Sequence, residues 1–328
     1  MKNVIVKKNN NSKVSIIIPC RNEEKYISKC LDSLIDNDYP KNLIEIFVID
    51  GMSEDNTKEI TKRYTEKYPF IKLVNNSKKI VPTALNIGIK KAKGDIIIRI
   101  DVHSIYPSNY IKKLVLWSRE SRADNVGGIC ITKPGAETLI AQANALSLSH
   151  PFGVGNPYFR IGTKGPRGMM AVPFGGYRRE VFNKIGFFDE DLVRNQDDEF
   201  NLRLIKNGGK ILLVPDIISY YYARDSIHKL WKMYFQYGYF KPLVAKKVGG
   251  ILTWRQIIPS LFIGTLILAL LLSSFSKIFF WFFLFILGFY TTVNFSISLI
   301  ISIKKKELRL LPSLMASFIT LHFSYGFG

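Results

Sequence analysis

Carboxylates at the ends of predicted strands and at one predicted helix start are the side chains of this sequence best suited to chemistry. Asp50 and Asp101 each follow an apolar run directly, so each carboxylate lies at the rim of a buried sheet. Desolvating a carboxylate is costly unless it has a partner, and a nucleotide or a metal ion could be that partner. Three further acids, Asp197, Asp198 and Glu199, are consecutive in the sequence.

The three consecutive acids fall at the start of a predicted helix that carries Arg203 about one and a half turns later. Negative side chains in a first helical turn are stabilised by the helix dipole, so the cluster could be no more than a favourable helix start. The alternative is that one acid works in catalysis. The residues alone do not decide between the two interpretations.

The elements that must position these acids alternate in type over the first 220 residues. Strands are predicted at 14–19, 44–50, 71–75 and 96–101, and helices at 23–36, 55–68 and 81–92. Apolar strands separated by amphipathic helices predict a parallel sheet covered on both faces, with ligands at the carboxyl ends of the strands. The polar stretch CRNEE, Asp50 and Asp101 all follow strands at that edge.

The composition points towards a membrane. The chain has 328 residues, a net charge of +20 and a mean hydropathy of +0.08. A basic balance suits nucleic acid, anionic lipid or phosphorylated substrates, and the positive hydropathy favours the membrane among these. Nucleic-acid binding is not expected, because the positive charge lies next to the apolar runs instead of on a separate basic face.

Two uncharged apolar runs, 257–275 and 278–303, are long enough to span a bilayer. A third run, 310–323, is short for a span and is interpreted as a re-entrant or interfacial piece, or as a span cut short by the end of the sequence. Lysines and arginines flank the pair of spans on one side, at Lys241, Lys246, Lys247, Arg255 and in KKKELR at 304–309, while the linker has only Lys277. The positive-inside rule therefore predicts a multi-pass protein of the plasma (inner) membrane, with its N-terminal part in the cytoplasm.

Two other segments have a predicted structural role. Aromatic residues and lysines are interleaved from 226 to 250, as in a helix that lies among lipid headgroups, although a soluble amphipathic helix packed on the sheet has the same pattern. The stretch 151–173 is rich in glycine and proline and is predicted to be an irregular loop that acts as a lid. The three cysteines, Cys20, Cys30 and Cys130, are predicted to be reduced, mostly buried thiols.

Five motifs in order carry a family resemblance over roughly residues 12 to 245. They are IIPCRNEEKYISKCLDSL, VIDGMSEDNT, ALNIGIKKAKGDIIIRIDVHS, VPFGGYRREVFNKIGFFDEDL and NQDDEFNLRL. The sequence resembles family 2 glycosyltransferases, and among them membrane-associated bacterial enzymes of the succinoglycan-biosynthesis type. The resemblance implies an α/β protein with a GT-A (Rossmann-like) nucleotide-sugar-binding domain at 1–225. An amphipathic interfacial segment at 226–255 and a transmembrane region at 256–328 would follow it.

The resemblance also implies a donor site. The loop after the first strand would contact the base and ribose, the acid that closes the second strand would read a uracil-type base, and two residues of the third helix would border the diphosphate. These residues are Pro19, Arg21, Asn22, Glu23, Asp50, Asn86 and Lys90. Many relatives have a second acid after Asp50, where this chain has Gly51.

The Asp-x-Asp motif of the family, which anchors the ribose and a divalent ion, falls on Asp101-Val102-His103. The implied metal ligands are Asp101 and His103. Mn²⁺ tolerates a nitrogen ligand better than Mg²⁺ does, so the histidine favours manganese. The alternative is a rim histidine that is hydrogen-bonded to backbone.

Relatives have a catalytic Asp at the position of Asp197 and an Arg six residues later, which corresponds to Arg203. The residue before the Asp is Glu in relatives and Gln196 in this chain. Asp197 is thus the predicted general base, which takes the proton of the acceptor hydroxyl. The predicted acceptor side consists of Gly175, Gly176, Asp198, Arg203 and Gln236. The two glycines either line the acceptor or merely turn the chain.

The predicted function is an inverting transfer of a single sugar from a nucleotide-sugar donor, UDP-linked by preference, to a lipid-linked or polysaccharide-precursor acceptor at the cytoplasmic face of the membrane. A processive polysaccharide synthase is one alternative. Such synthases carry a Gln-x-x-Arg-Trp motif, of which this chain keeps only Gln236. A non-catalytic membrane scaffold with a degenerate nucleotide fold is the other alternative.

Overall fold

The computed structural model describes residues 12–155, 157–250 and 256–328, so Arg255 and the end of the predicted 226–255 segment lie outside the described residues. The strands are β1 Val14–Cys20, β2 Ile44–Asp50, β3 Ile71–Asn75, β4 Ile96–Arg99, β5 Ser104–Ile105, β6 Asn125–Lys133, β7 Arg167–Gly168, β8 Gly176–Arg178 and β9 Ile211–Tyr222. The first helices are α1 Ile27–Ile35, α2 Thr57–Lys67, α3 Val81–Lys91, α4 Tyr110–Ser121, α5 Leu139–Leu148, α6 Pro151–Val154 and α7 Tyr158–Ile161. The later helices are α8 Arg179–Ile185, α9 Gln196–Lys206, α10 Ile227–Val248, α11 Ile258–Leu272, α12 Lys277–Lys304 and α13 Leu310–Phe327.

One mixed sheet has the strand order β3-β2-β1-β4-β8-β6-β9-β5, and β7 also pairs with β9. The first four strands in this order are mutually parallel, and β8 joins β4 to β6 through antiparallel pairs. The parallel sheet predicted from the alternating pattern is confirmed. The register pairs Cys20 with Asp50, so the loops after β1 and β2 leave the sheet side by side.

The core of this sheet consists of β-branched residues of β1, β2 and β4, which are buried on both faces as expected for central parallel strands. Helix α3 packs closely on β1 at Gly88, where an added Cβ would lie 2.6 Å from Cγ2 of Ile17. Cys20, Cys30 and Cys130 are buried free thiols, as predicted.

Three element boundaries differ from the sequence predictions. The helix expected from residue 23 begins at Ile27, because the residues before it form a turn fastened to the next loop. The strand expected to reach residue 101 ends at Arg99. The stretch 151–173, predicted to be irregular, contains the short helices α6 and α7 and the strand β7.

Contacts divide the chain into two compact units. The first unit comprises the chain up to Ile129, Thr163–Glu190 and Phe200–Ser219, and the second comprises Cys130–Gly162, Asp191–Glu199 and Tyr220–Gly328. The domain boundaries predicted at 225 and 255 followed composition along the chain, and they stay a prediction. The segment that carries Asp197 groups with the C-terminal helices instead of with the first unit.

In the second unit, helix α13 packs against α5, α10, α11 and α12. By length and composition, two of the described helices could cross a bilayer, α12 with 28 residues and α13 with 18. The third apolar run is therefore longer than predicted, whereas the first run forms α11 with only 15 residues. Only 11% of the apolar window of α12 is buried, against 39% for α13, so α12 presents its apolar side chains outward.

Candidate active site

The loops that follow β1 and β2 are fastened to each other by hydrogen bonds from backbone to side chain. The Asn22 N–H donates to Oγ of Ser53 at 2.9 Å, and Oδ1 of Asn22 accepts the N–H of Glu54 at 2.9 Å. The Glu23 N–H donates to Oγ1 of Thr57 at 2.6 Å. Asn22 has a positive φ of 56°, a conformation that asparagine tolerates. We call residues 21–23 the donor rim. It contains three of the residues predicted to contact base and ribose, and Pro19, the fourth, lies near the end of β1.

Asp50 lies beneath this rim and is fully buried. Its carboxylate accepts the N–H of Ser53 at 3.1 Å and the hydroxyl of Ser53 at 2.5 Å, which offsets the cost of desolvation. An added Cβ on Gly51 would lie 3.2 Å from Cβ of Arg21 and 3.3 Å from the Cys20 carbonyl oxygen. A second acid at position 51 would therefore need the two loops to move apart, which gives a physical reason for the glycine.

Asp101, His103 and Glu23 form a connected set at the end of β4. The His103 N–H donates to Oδ1 of Asp101 at 2.8 Å, and Nε2 of His103 lies 3.0 Å from Oε1 of Glu23. The imidazole is buried and packs on the ring of Tyr26, with centroids 4.4 Å apart. One partner of the His103 ring is thus the carboxylate of Glu23. The alternative to metal ligation that the sequence suggested was a hydrogen bond to backbone.

A divalent ion fits this set through Asp101. Hard cations prefer carboxylate oxygen, and Mg²⁺ at nucleotide sites is usually held by one or two carboxylates plus the phosphates of the substrate. Within the described ranges, no group of three or more His, Cys, Asp or Glu side chains could hold a metal on its own. Nε2 of His103 contacts Glu23, and histidines that ligate metals are commonly oriented by a carboxylate in this way.

Asn86 and Lys90 of α3 contact the segment that follows α8. The Asn86 amide donates to the Phe188 carbonyl at 2.9 Å and to Oε1 of Glu190 at 3.0 Å, and it accepts the Phe188 N–H at 3.0 Å. Nζ of Lys90 lies 5.3 Å from the ring centroid of Phe187. Both donors of the Asn86 amide are thus used inside the protein, so a direct contact with a diphosphate would have to replace one of them.

Lys78 and Glu190 form an ion pair in the same region that the sequence analysis did not find. Nζ of Lys78 lies 2.7 Å from Oε2 of Glu190. Hydrogen bonds from Lys78 and Asn86 outweigh the effect of burial and lower the pKa of Glu190 to about 2. No local pattern marks this pair, because its members are 112 residues apart.

Arg203 of α9 fastens the same segment from the other side. Its guanidinium donates to the carbonyl oxygens of Ile185 and Phe187 and lies 5.1 Å from the ring centroid of Phe200. Gly186, with a φ of 79°, allows the turn between those two carbonyls. Arg203 thus positions a loop, and its predicted place on the acceptor side stays a prediction.

Gly175 and Gly176 are both buried in the sheet. An added Cβ on Gly175 would lie 2.1 Å from Oδ1 of Asn125, and one on Gly176 would lie 3.3 Å from Cγ2 of Ile96. The absence of a side chain at each position therefore allows close packing against Asn125 and Ile96. A contact of these glycines with an acceptor stays a prediction.

Asp197 lies in the first turn of α9, which begins at Gln196, so the predicted helix start is confirmed. We call residues 191–199 the base segment. Asn195, with a φ of 60°, precedes the helix, and Oδ1 of Asp197 accepts the Asp198 N–H at 3.2 Å. Asp197 is half-buried, so its carboxylate is neither fully desolvated nor fully hydrated.

Helix α10 holds the base segment through several polar contacts. They include the ion pairs Lys241–Asp198 and Lys247–Asp191, the hydrogen bond from Arg194 to Gln236 at 2.9 Å, and the hydrogen bond from Asn195 to the Tyr237 carbonyl at 2.9 Å. Gln236 and Asp198, both predicted on the acceptor side, thus belong to the contact between α10 and the base segment. Lys241 and Arg194 were missed, because their partners are some 40 residues away in the sequence.

A parallel sheet with carboxylates at its strand ends, extended by antiparallel strands, is the architecture of GT-A nucleotide-sugar enzymes. The model of glycosyl transferase family 2 matches residues 15–186. The chain is 36% identical over 244 residues to a dolichyl N-acetyl-α-D-glucosaminyl phosphate 3-β-D-2,3-diacetamido-2,3-dideoxy-β-D-glucuronosyltransferase of Methanococcus voltae, covering 71% of this chain and 74% of that protein. It is 32% identical over 228 residues to the succinoglycan biosynthesis protein ExoA of Rhizobium meliloti, covering 68% and 67%. The chain therefore belongs to glycosyl transferase family 2 and is a glycosyltransferase.

A solved structure confirms the fold. The mannosyltransferase PcManGT of Pyrobaculum calidifontis, in complex with GDP-Man and Mn²⁺, superposes with a TM-score of 0.60 at 18% identity, covering 96% of this chain and 87% of that one. The predicted GT-A fold, with a helical region after it, is thus confirmed.

Proposed function

We propose that this protein transfers one sugar, with inversion, from a nucleotide-sugar donor to a lipid-linked acceptor at the cytoplasmic face of the membrane. The observation that carries the proposal is the edge of the sheet where Asp50, the Asn22–Glu23 rim and Asp101 stand together in one unit. Donors bind at the carboxyl ends of strands in open α/β sheets.

Asp197 is proposed as the general base. Inversion requires the acceptor hydroxyl to attack the anomeric carbon as the bond from that carbon to the diphosphate oxygen breaks. The hydroxyl proton passes to the Asp197 carboxylate, and the nucleoside diphosphate leaves with the bonding electrons. Asp198 is engaged in an ion pair with Lys241, which supports Asp197 as the acid for this step.

A divalent ion would be held by Asp101, with the imidazole of His103 as a second donor, and would neutralise charge on the leaving diphosphate. The nitrogen donor favours Mn²⁺ over Mg²⁺, and the Mn²⁺ bound by the mannosyltransferase of similar fold supports the same choice. UDP is the proposed nucleotide, since the family resemblance gives the reading of a uracil-type base to Asp50.

A lipid-linked acceptor suits both the relatives and the helices. The name of the Methanococcus voltae enzyme specifies a dolichyl-linked sugar phosphate. In this chain, large apolar side chains of α12 are exposed, among them Trp281, Phe285 and Phe289 at 67%, 69% and 65%. Exposed apolar surface of this extent on a helix of spanning length favours insertion into a bilayer.

The proposed function is tested with protein purified in lipid nanodiscs, Mn²⁺ and a panel of radiolabelled UDP- and GDP-sugars, offered with extracted membrane lipids. We expect a glycolipid that carries one added sugar, with the highest yield from a UDP-sugar and a higher rate in Mn²⁺ than in Mg²⁺. A long polymer would show a processive synthase instead. Donor binding without any product would support the scaffold, and full turnover in excess EDTA would remove the metal from the mechanism.

A further inference from the structure

Arg160 of α7 is a cation among aromatic rings without an acidic partner. Its Nη1 donates to Oγ1 of Thr132 at 2.8 Å, and its guanidinium carbon lies 5.4 Å from the ring centroid of Tyr221 and 5.6 Å from that of Phe159. In the part of the chain that the structure describes, no carboxylate forms an ion pair with this guanidinium.

Charge and hydrogen bonding both indicate that this arrangement is incomplete. A guanidinium keeps its charge in proteins and has five N–H donors, of which Thr132 takes one. Cation–π contacts with Tyr221 and Phe159 replace only part of the lost hydration. Arg160 is half-buried, and a charge that has lost part of its hydration is normally paired, so the site calls for an anion.

The surroundings add hydroxyl donors and no negative charge. Tyr234 and Tyr237 of α10 lie close enough to act electrostatically on the guanidinium, and their rings pack edge to face with centroids 5.5 Å apart. Neutral phenols can donate hydrogen bonds to an anion. Burial raises the pKa of Tyr234, so this phenol stays protonated at neutral pH.

Two neighbours connect the site to the reaction and to the apolar helices. The Tyr237 carbonyl accepts the hydrogen bond from Asn195, two residues before Asp197. The preceding helix α6 contacts α13, where the Phe152 carbonyl lies 2.7 Å from Nε2 of His322 and the Phe152 ring lies 5.0 Å from that of Phe318. The neighbours of Arg160 in the chain and in space thus contact both the base segment and an apolar helix.

We propose that Arg160, with the hydroxyls of Tyr234 and Tyr237, binds the phosphate of a phosphate-linked lipid acceptor. The planar guanidinium suits bidentate binding of a phosphate, and a lipid-linked sugar phosphate joins that anion to an apolar chain. The inference rests on the proposed function and deepens it by naming the group that the acceptor must carry. The donor diphosphate has the same chemistry, so the transfer assays include the donor KM to distinguish the two phosphates.

The test compares two ligands that differ only in the phosphate, farnesyl phosphate and farnesol. Affinities are measured by titration with the full chain in nanodiscs, without any donor. We expect the natural protein to bind farnesyl phosphate about tenfold to a hundredfold more tightly than farnesol, and Arg160→Met to lose that difference while it keeps its affinity for farnesol. Lys164→Met, the same change at an exposed position nearby, should keep the difference.

Two milder variants keep the test informative if Arg160→Met does not fold. Tyr234→Phe and Tyr237→Phe remove one hydroxyl each, and each should weaken the binding of farnesyl phosphate by a few-fold while farnesol is unaffected. Equal binding of both ligands by the natural protein, or equal losses for both ligands in every variant, would overturn the inference.

Transfer assays separate this inference from the proposed function. With a phosphate-linked and a neutral glycolipid as acceptors, Arg160→Met should raise KM for the first only and leave the donor KM unchanged. A rise in donor KM would assign Arg160 to the diphosphate and overturn the inference. Binding of farnesyl phosphate that depends on Arg160, without any sugar transfer, would contradict the proposed function alone. Transfer at a rate that does not depend on the acceptor phosphate would contradict the Arg160 site alone.

Discussion

Asp197 is the residue on which the proposed chemistry depends most, so its substitution gives the sharpest test. Asp197→Asn removes the proton acceptor and leaves the shape of the side chain almost unchanged. We expect the rate of transfer to fall by about 10²-fold to 10⁴-fold, while the donor Kd stays within a few-fold, because a base acts in the proton-transfer step. Initial rates and donor titrations measure the two effects, and Asp36→Asn, at an exposed acid, is the control. A loss of donor affinity as large as the loss of rate would contradict this role.

Glu190 gives a prediction about pH. Hydrogen bonds from Lys78 and Asn86 lower its pKa in the folded protein from the ordinary 4.5 to about 2, so the folded state favours the ionised form. The ion pair with Lys78 therefore contributes fully above pH 4.5, and its contribution is lost as the pH falls from about 4.5 towards about 2. Glu190→Gln should lower the free energy of unfolding by about 0.5–1 kcal/mol at pH 7, since the pair is partly exposed.

Urea denaturation of the natural protein and of Glu190→Gln between pH 7 and pH 3 measures this contribution. The difference in unfolding free energy between the two proteins should be constant down to about pH 5 and shrink below it. Glu180→Gln, at an exposed acid, is the control. A difference that stays the same at pH 3 would show that the substitution acts through something other than the charge.

At the scale of elements, α10 holds the base segment, and Lys241 is the contact that can be removed most cleanly. Lys241→Met keeps the length of the side chain and removes the ion pair with Asp198. We expect kcat to fall by about tenfold with little change in donor KM, because small displacements of a catalytic group are costly. The control is Lys246→Met, an exposed lysine of the same helix. Recovery of kcat in the double variant Asp198→Lys with Lys241→Asp would show that the ion pair itself matters. An equal loss of kcat in Lys246→Met would contradict a specific role of this ion pair.

Close packing of α10 on α13 depends on Gly238. An added Cβ there would lie 2.1 Å from the Tyr325 carbonyl oxygen, whereas one on Gly288 of α12 would meet no atom within 4 Å. Gly238→Ala should therefore destabilise the protein by about 1–3 kcal/mol through overpacking, and Gly288→Ala should be neutral or stabilising by up to about 1 kcal/mol. Thermal unfolding in detergent compares the two, and equal Tm values would show that the helices can move apart without cost.

Some elements could be predicted from the sequence because their cause is local. The short, mainly apolar runs of β2 and β3 gave the correct bounds, since turn-forming and polar residues flank each run. The third apolar run was predicted to end at residue 323, because the next residues are small or polar. Helix α13 continues to Phe327, since Gly326 packs against Pro259 and Ile263 of the neighbouring helix. That contact is not visible in one sequence.

The candidate site divides in the same way. Asp50, Asp101 and Asp197 could be found because each directly follows an apolar strand or opens a helix. What surrounds them depends on pairs far apart in the chain, such as Glu23 with His103 or Asp198 with Lys241, 80 and 43 residues apart. Spacing along one sequence does not encode such pairs, so the positioning residues had to come from the structure.

The whole molecule is predicted to cross the membrane with the loop at Lys277 outside and the lysines at 304–306 inside. Ser274→Cys should react with a membrane-impermeant maleimide in intact cells, whereas Lys305→Cys should react only after lysis. The natural cysteines are buried and give little background. The result also tests α11, whose 15 residues extend only about 22 Å. Labelling of neither position in intact cells would mean that α11 does not cross, and the reverse pattern would contradict the predicted orientation.

The central position of α13 has a consequence for biosynthesis. This helix packs against α5 and α10, both of which leave the ribosome well before it does. Domains form as units during synthesis, generally from the N-terminus onward. Until α13 emerges, the nascent chain therefore exposes apolar faces of α5 and α10 that need shelter from chaperones or from the insertion machinery. The base segment acquires its final support only when residues 310–327 have left the ribosome, so we expect sugar transfer to remain silent until then.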